Sequence, residues 1–235
     1  MIGSKKVTAV IPAAGLGKRM GKSIPEGFGK QFISIRNKPL LSYTIEKFIE
    51  SKYVDEIIIV SAPAFFDYLK NEIVDPFQCP KPLKIVFGGK ERQDSVYEGF
   101  KAIDNSDIVL IHDGVRPFIK SERIDQLIEV CNQTKAAILG VRPKDTVKLQ
   151  DAGEYVRETL DRSVLWNIQT PQAFDYHILQ EAFESAQGSG FYGTDESMLV
   201  EKIGHKIKIV QGDYDNIKIT TPDDLVLAEL ILGQY

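Results

Sequence analysis

"VTAVIPAAGLGKRM", Val7 to Met20, opens as a short β-branched and apolar run closed by a proline and ends in glycines and cations. The run has the pattern of a strand buried on both faces of a parallel sheet. The small-residue bend Ala13-Ala14-Gly15 lets backbone N–H groups come close to an anion, and Arg19 offers a planar fork for phosphate oxygens. Two familiar phosphate loops can be tested against this stretch. A Walker loop needs Gly-x-x-x-x-Gly-Lys-Ser/Thr; Gly21-Lys22-Ser23 supplies the end, but Leu16 stands where the first glycine belongs. The dinucleotide fingerprint Gly-x-Gly-x-x-Gly finds Gly15 and Gly17 but meets Met20 in third place. A loop with several cations suits a triphosphate better than a diphosphate held by a helix dipole.

Outward from this stretch, apolar runs alternate with amphipathic ones. Val7–Pro12, Glu56–Ser61, Leu83–Phe87, Ile108–Ile111, Ala136–Val141 and Lys206–Val210 read as strands. Between them, Leu40–Ser51, Ser95–Ala102, Glu122–Asn132, Asp175–Ala186 and Asp195–Ile203 read as helices. Thr221 as N-cap, Pro222 at the first helical position and Asp223 and Asp224 at the positive dipole end start a last helix. This is an α/β chain, a Rossmann-like, mostly parallel sheet flanked by helices in one domain over residues 1–235, with ligand chemistry expected at the carboxyl ends of the strands. Residues 142–162 break the alternation. Thr146–Gln150 and Tyr155–Leu160, joined by Asp151-Ala152-Gly153, predict a polar β-hairpin that projects from the sheet and packs on another subunit or folds over a ligand.

The 235 residues are 43% hydrophobic and 26% charged, ordinary values for a soluble globular chain. A net charge of -4 supplies no global field for nucleic acid, so anion binding must come from local clusters of Lys and Arg. The N-terminal apolar run stops at Pro12, too short for a signal peptide or membrane span; the expectation is a cytoplasmic protein without membrane attachment. Cys79 and Cys131 are far apart and suggest neither a disulfide framework nor a zinc site.

"IPAAGLGKRM" resembles the opening signature of the nucleotidyltransferases that make sugar or polyol nucleotides from a nucleoside triphosphate. "GGKERQDSV" (88–96), "HDGVRPF" (112–118), "DTVK" (145–148), "TLDRSVLWNIQTPQAF" (159–174), "TDE" (194–196) and "DNIKITTPDDL" (215–225) follow in the order found in the 2-C-methyl-D-erythritol 4-phosphate cytidylyltransferase family. The resemblance runs from Val7 almost to the end. It implies transfer of CMP from CTP to a polyol phosphate with release of pyrophosphate. The valine beside the arginine in "HDGVRPF" also occurs in ribitol 5-phosphate cytidylyltransferases, so ribitol phosphate is the alternative acceptor. An NAD-binding oxidoreductase is disfavoured by the failed fingerprint, and a catalytically silent nucleotide-binding protein by the cations at positions 19, 116, 162 and 218.

Residue by residue, the resemblance implies that Arg19, Lys30, Lys218 and Arg162 serve the transfer, with Lys22 a rival for the part of Lys30. Gly29-Lys30-Gln31 stands where the family usually shows Pro-Lys-Gln. Ala13, Ala14, Gly15 and Gly17 would contact CTP through the main chain; Gly88, Gly89, Ser95 and Gly114 would complete its site. Ser95 also reads as an N-cap. Asp113, Arg116, Thr146, Arg162, Thr170 and Thr194 would bind the acceptor, and His112 reads as structural. The alternation in "NIKIT" puts Asn216, Lys218 and Thr220 on one face of a strand and Ile217 and Ile219 on the other. Magnesium is implied by the triphosphate and would ride mainly on its phosphates, since no dedicated ligand cluster is visible. The hairpin would cross to a second copy, making a homodimer with shared sites.

Overall fold

The computed structural model describes residues 2–15 and 29–233; Gly17, Arg19 and Lys22 lie outside the described residues. The strands are β1 (Val7–Pro12), β2 (Ser34–Ile35), β3 (Lys38–Pro39), β4 (Glu56–Ser61), β5 (Leu83–Phe87), β6 (Ile108–Ile111), β7 (Ala136–Val141), β8 (Lys148–Gln150), β9 (Val156–Thr159), β10 (Asn167–Asp175) and β11 (Lys208–Gln211). Seven of them form one sheet in the order β11-β7-β10-β6-β1-β4-β5. Pairing is parallel except for β10, which runs antiparallel to both β6 and β7. The expected Lys206–Val210 strand is shifted to Lys208–Gln211.

The apolar runs are continuous because both faces of the sheet are covered. Val7, Ala9, Ile11, Ile57, Ile59, Ile108 and Leu110 point into one core; Val10, Ile58, Val60, Val109 and Ile111 point into the other. Helices Leu40–Glu50 and Ser121–Thr134 close the first face, and Arg92–Lys101, Tyr176–Ser189 and Glu196–Lys202 the second. Each fully buried isoleucine of these strands contributes roughly 2 kcal/mol of transfer free energy. The Arg92–Lys101 helix rides unusually close to the sheet: a Cβ at Gly99 would lie 2.5 Å from Val10 and 2.7 Å from Val60.

A third, smaller core joins Ile35, Leu40, Val115, Phe118 and Ile219 to Ala228 and Ile231 of the Pro222–Leu232 helix. That helix starts as read, with Thr221 and Asp224 in a reciprocal capping box. Ser95 is a correction: its helix begins at Arg92, with Glu91 as N-cap and Asp94 completing the box, so Ser95 lies one turn inside it. "NIKIT" is another, since residues 216–220 belong to no strand. The segment is tied to the "HDGVRPF" loop instead, where the Ile219 amide donates to the Val115 carbonyl at 2.9 Å.

The polar hairpin is present as β8 and β9, a two-stranded antiparallel sheet separate from the main one and shorter than its two expected stretches. Every residue of both strands is exposed in the single chain. Among the described residues no helix is long and apolar enough to cross a membrane.

Candidate active site

The carboxyl ends of β1, β5 and β6 and the amino-terminal half of the reversed β10 reach one rim of the sheet. Two cavities open there. The first, about 300 Å³, is lined by Ala13, Ala14 and Gly15 after β1, Lys30 and Gln31, Gly89, Lys90 and Ser95 after β5, and Thr220. The second, about 430 Å³, is lined by Arg116, Thr170 and Gln172, and by Thr194, Asp195 and Ser197 at the start of the Glu196–Lys202 helix. Arg92, Asp113 and Lys218 line both.

Asp113 is the hub of this junction. Its Oδ2 lies 2.9 Å from Lys218 Nζ and 3.5 Å from Arg116 Nε; its Oδ1 lies 3.3 Å from Arg92 Nε. Burial alone would raise its pKa, but the three cations overcome that and hold the carboxyl well below the usual carboxylate range. Arg92 in turn donates from Nη1 and Nη2 to Glu196, at 2.8–3.0 Å. Arg116 donates from Nη1 to the Asn216 carbonyl at 2.8 Å, a second tie between the "HDGVRPF" loop and the segment that carries Lys218.

His112 lies wholly inside. The Asp113 amide donates to Thr170 Oγ1, and that hydroxyl lies 3.1 Å from His112 Nδ1; His112 Nε2 lies 3.1 Å from the Arg116 carbonyl. A carbonyl only accepts, so Nε2 carries the proton and Nδ1 accepts from Thr170. Burial pushes the imidazole down to about 4, and the ring stays neutral. With both nitrogens engaged and no exposed edge, His112 has no route to a substrate proton.

The sequence-predicted residues separate into three groups. Ala13, Ala14, Gly15, Lys30, Gly89, Ser95, Asp113, Arg116, Thr170, Thr194 and Lys218 line the two cavities. Ala13 does so with its polar backbone taken: its amide donates to the Val60 carbonyl at 2.7 Å and its carbonyl accepts from Gln31 Nε2 at 2.6 Å. Gly88 and Gly114 line neither; a Cβ on Gly88 would strike Ser95 Oγ at 2.7 Å, and one on Gly114 would crowd Leu41 and Pro12. They let the walls close up. Thr146 and Arg162 are exposed on the hairpin's base and line neither cavity, with Arg162 donating to the Lys144 carbonyl. Lys30 Nζ donates to the Ile219 carbonyl at 3.0 Å, beside Lys218. Sequence reasoning missed Lys90, Arg92 and Glu196. All three sit in motifs it did quote, "GGKERQDSV" and "TDE", and Arg92 and Glu196 each occupy the first position of a helix.

Among the described residues no group of three His, Cys, Asp or Glu side chains is placed to hold a metal ion. Asp113 and Glu196, the acids at the junction, are already taken by cations.

A junction rich in guanidinium and ammonium groups, beside a neutral, sequestered histidine, is equipped to neutralise phosphates rather than to move protons. On a doubly covered, mostly parallel sheet this defines the class of α/β nucleotidyltransferases. The chain belongs to the 2-C-methyl-D-erythritol 4-phosphate cytidylyltransferase (IspD) family, whose model matches residues 7–234. It is 47% identical over 227 residues to the 2-C-methyl-D-erythritol 4-phosphate cytidylyltransferase of Caldanaerobacter subterraneus subsp. tengcongensis, covering 96% of this chain and 98% of that one. To the enzyme of the same name from Clostridioides difficile it is 46% identical, covering 96% and 93%. The crystal structure of 4-diphosphocytidyl-2C-methyl-D-erythritol synthase from Anaerococcus prevotii superposes with a TM-score of 0.86 at 36% identity, covering 97% of this chain and 99% of that one.

Proposed function

We propose that this protein transfers CMP from CTP to 2-C-methyl-D-erythritol 4-phosphate, forming 4-CDP-2-C-methyl-D-erythritol and pyrophosphate, a step of the non-mevalonate route to isoprenoid precursors. The observation that carries the reading is the pair of cavities meeting at Arg92, Asp113 and Lys218. CTP occupies the cavity walled by Ala14, Gly15, Gly89 and Ser95; the acceptor occupies the one walled by Arg116, Thr170 and Thr194. The reacting phosphates then meet beside Lys218.

An oxygen of the acceptor phosphate attacks the α-phosphorus of CTP, the bond from the α-phosphorus to the bridging oxygen breaks, and pyrophosphate leaves with the electron pair. A phosphate monoester has its second pKa near 6, so the nucleophile is already a dianion at neutral pH and needs no general base. That suits a site whose histidine is sealed away. The residues must overcome repulsion between two anions and stabilise charge spreading onto the leaving group. Lys218 leaves Asp113 for the α-phosphate oxygens, Lys30 adds its charge from the Ile219 side, and Arg116 steadies the acceptor. Arg19 completes the triphosphate grip in this reading.

Among the described residues no protein cage for a divalent cation is present, so in this reading Mg2+ arrives on the CTP phosphates and carries no separate step. The cytoplasm, where CTP is made, is the proposed setting. The exposed hairpin supports a homodimer in which Thr146 and Arg162 of one copy reach the acceptor cavity of the other.

The test is pyrophosphate release with CTP, Mg2+ and either methylerythritol phosphate or ribitol 5-phosphate. Turnover is expected with the first. Lys218→Ala is expected to lower kcat roughly a hundredfold, far more than it lowers folding stability; near-normal turnover in that variant would remove Lys218 from the chemistry.

A further inference from the structure

Glu196 lines neither cavity, and its side chain is only 1% exposed. Nothing in the transfer as written needs it. Yet its carboxylate takes both terminal nitrogens of Arg92 at 2.8–3.0 Å, leaving Nε as the guanidinium's remaining edge, and that edge faces Asp113 at 3.3 Å. A guanidinium is a rigid planar fork, so gripping one edge fixes the direction of the other. Asp113 is the group that holds Lys218, at 2.9 Å.

Stability is a poor explanation for this arrangement. Removing a charge from water costs several kcal/mol, Glu196 is 1% exposed while Arg92 keeps 29%, and ion pairs taken out of water are on balance often neutral or unfavourable for folding. Arg92 is also the first residue of its helix, where the macrodipole repels a cation. Glu196, in contrast, is the first residue of the Glu196–Lys202 helix, where the dipole favours an anion. Two helix starts thus meet behind the junction, one bearing a cation against its own dipole and the other bearing the anion that holds that cation still.

We infer that Glu196 is a positioning residue for nucleotidyl transfer: through Arg92 it fixes Asp113, and through Asp113 the resting place of the Lys218 ammonium. The chain Glu196–Arg92–Asp113–Lys218 spans from the helix layer to the reacting phosphates. This rests on the cytidylyltransferase reading above.

The test is a double-mutant cycle in the full-length protein, read as kcat per folded molecule with the acceptor and CTP saturating, alongside KM for CTP. Parent turnover is measured first; its absence would sink the cytidylyltransferase reading itself rather than the role of Glu196. Glu196→Gln, which keeps the volume and removes the charge, is expected to lower kcat at least tenfold and to change KM for CTP less than threefold. In an Arg92→Met background the same substitution is expected to change kcat less than twofold, because the path from 196 to Asp113 is already cut. A merely structural role predicts lower thermal stability with kcat per folded molecule intact, and that result overturns the inference. So does a loss that recurs in full in the Arg92→Met background. Should Glu196→Gln alone not fold, Arg92→Met and the double variant, in which the pair is uncharged together, still decide: a slower double variant overturns the inference and equal rates uphold it.

Discussion

A histidine directly after a central strand invites the part of general base, and the surroundings of His112 deny it. Its two nitrogens are committed to Thr170 and the Arg116 carbonyl, and burial pushes its pKa from 6.5 down to about 4. The consequence for stability has a definite sign. Below pH 6.5 the unfolded chain gains a proton at this position that the folded chain refuses until about pH 4. Stability is therefore lost as pH falls through that window, by about 3 kcal/mol at most. Urea unfolding at pH 7.5 and pH 4.5 should show His112→Gln losing less on acidification than the parent; equal losses would mean that the imidazole charges freely in the fold. The part of the site legible at this scale was the part written as single charged or small residues inside the quoted motifs, such as Lys218, Asp113 and Ala14. Arg92 and Glu196 escaped because each looks in sequence like an ordinary charged residue opening a helix, and only the crossing of two helix starts brings them together.

At the scale of elements, the parallel strands were legible because their two-sided burial leaves unbroken β-branched runs. β10 was not read at all. Its residues Gln169, Thr170 and Gln172 are polar yet buried, because they bond inward: Gln169 to the Asp213 carbonyl, Thr170 to His112, Gln172 to Asp195. A strand that spends its side chains on a polar network loses the apolar signature by which strands are found. "NIKIT" erred in the opposite sense. Its alternation is real, with Ile219 in the third core and Lys218 at the junction, but no neighbouring strand pairs with it. Gly99 carries a prediction of its own, since it sets the spacing between helix and sheet. Gly99→Ala forces a methyl against Val10 and Val60, and overpacking outweighs the gain in helix propensity, for a net loss of about 1–2 kcal/mol. Thermal unfolding of that variant measures it; unchanged or increased stability would show that the two valines move aside cheaply.

For the whole molecule, the exposed hairpin is the feature on which the proposed dimer turns. Tyr155 and Val156 stand 76% and 64% exposed on it. If the arm of one copy completes the acceptor cavity of the other, two crippled chains rescue each other. Mixing Lys218→Ala with Arg162→Ala, each nearly inactive alone, should recover about a quarter of parental activity. Half of the random dimers are mixed, and each mixed dimer holds one site with an intact core and an intact arm. No recovery after exchange of subunits would place Arg162 outside the neighbour's site.

The reversal of β10 has a consequence for how the protein can change over time. Because that one strand enters the sheet against the others, the last third of the chain returns to a rim already built by the first half. In the reading proposed above, most of the nucleotide's surroundings are encoded early, in the turns after β1 and β5, with Thr220 a late addition, while most of the acceptor's are encoded late, from Ile168 to Glu201. On that reading the two grips lie largely, though not wholly, in separate stretches of the gene, with the Arg92–Asp113–Lys218 crossing as their common hinge. Substitutions between Ile168 and Glu201 are then expected to retune which polyol is accepted while the earlier turns keep their hold on CTP.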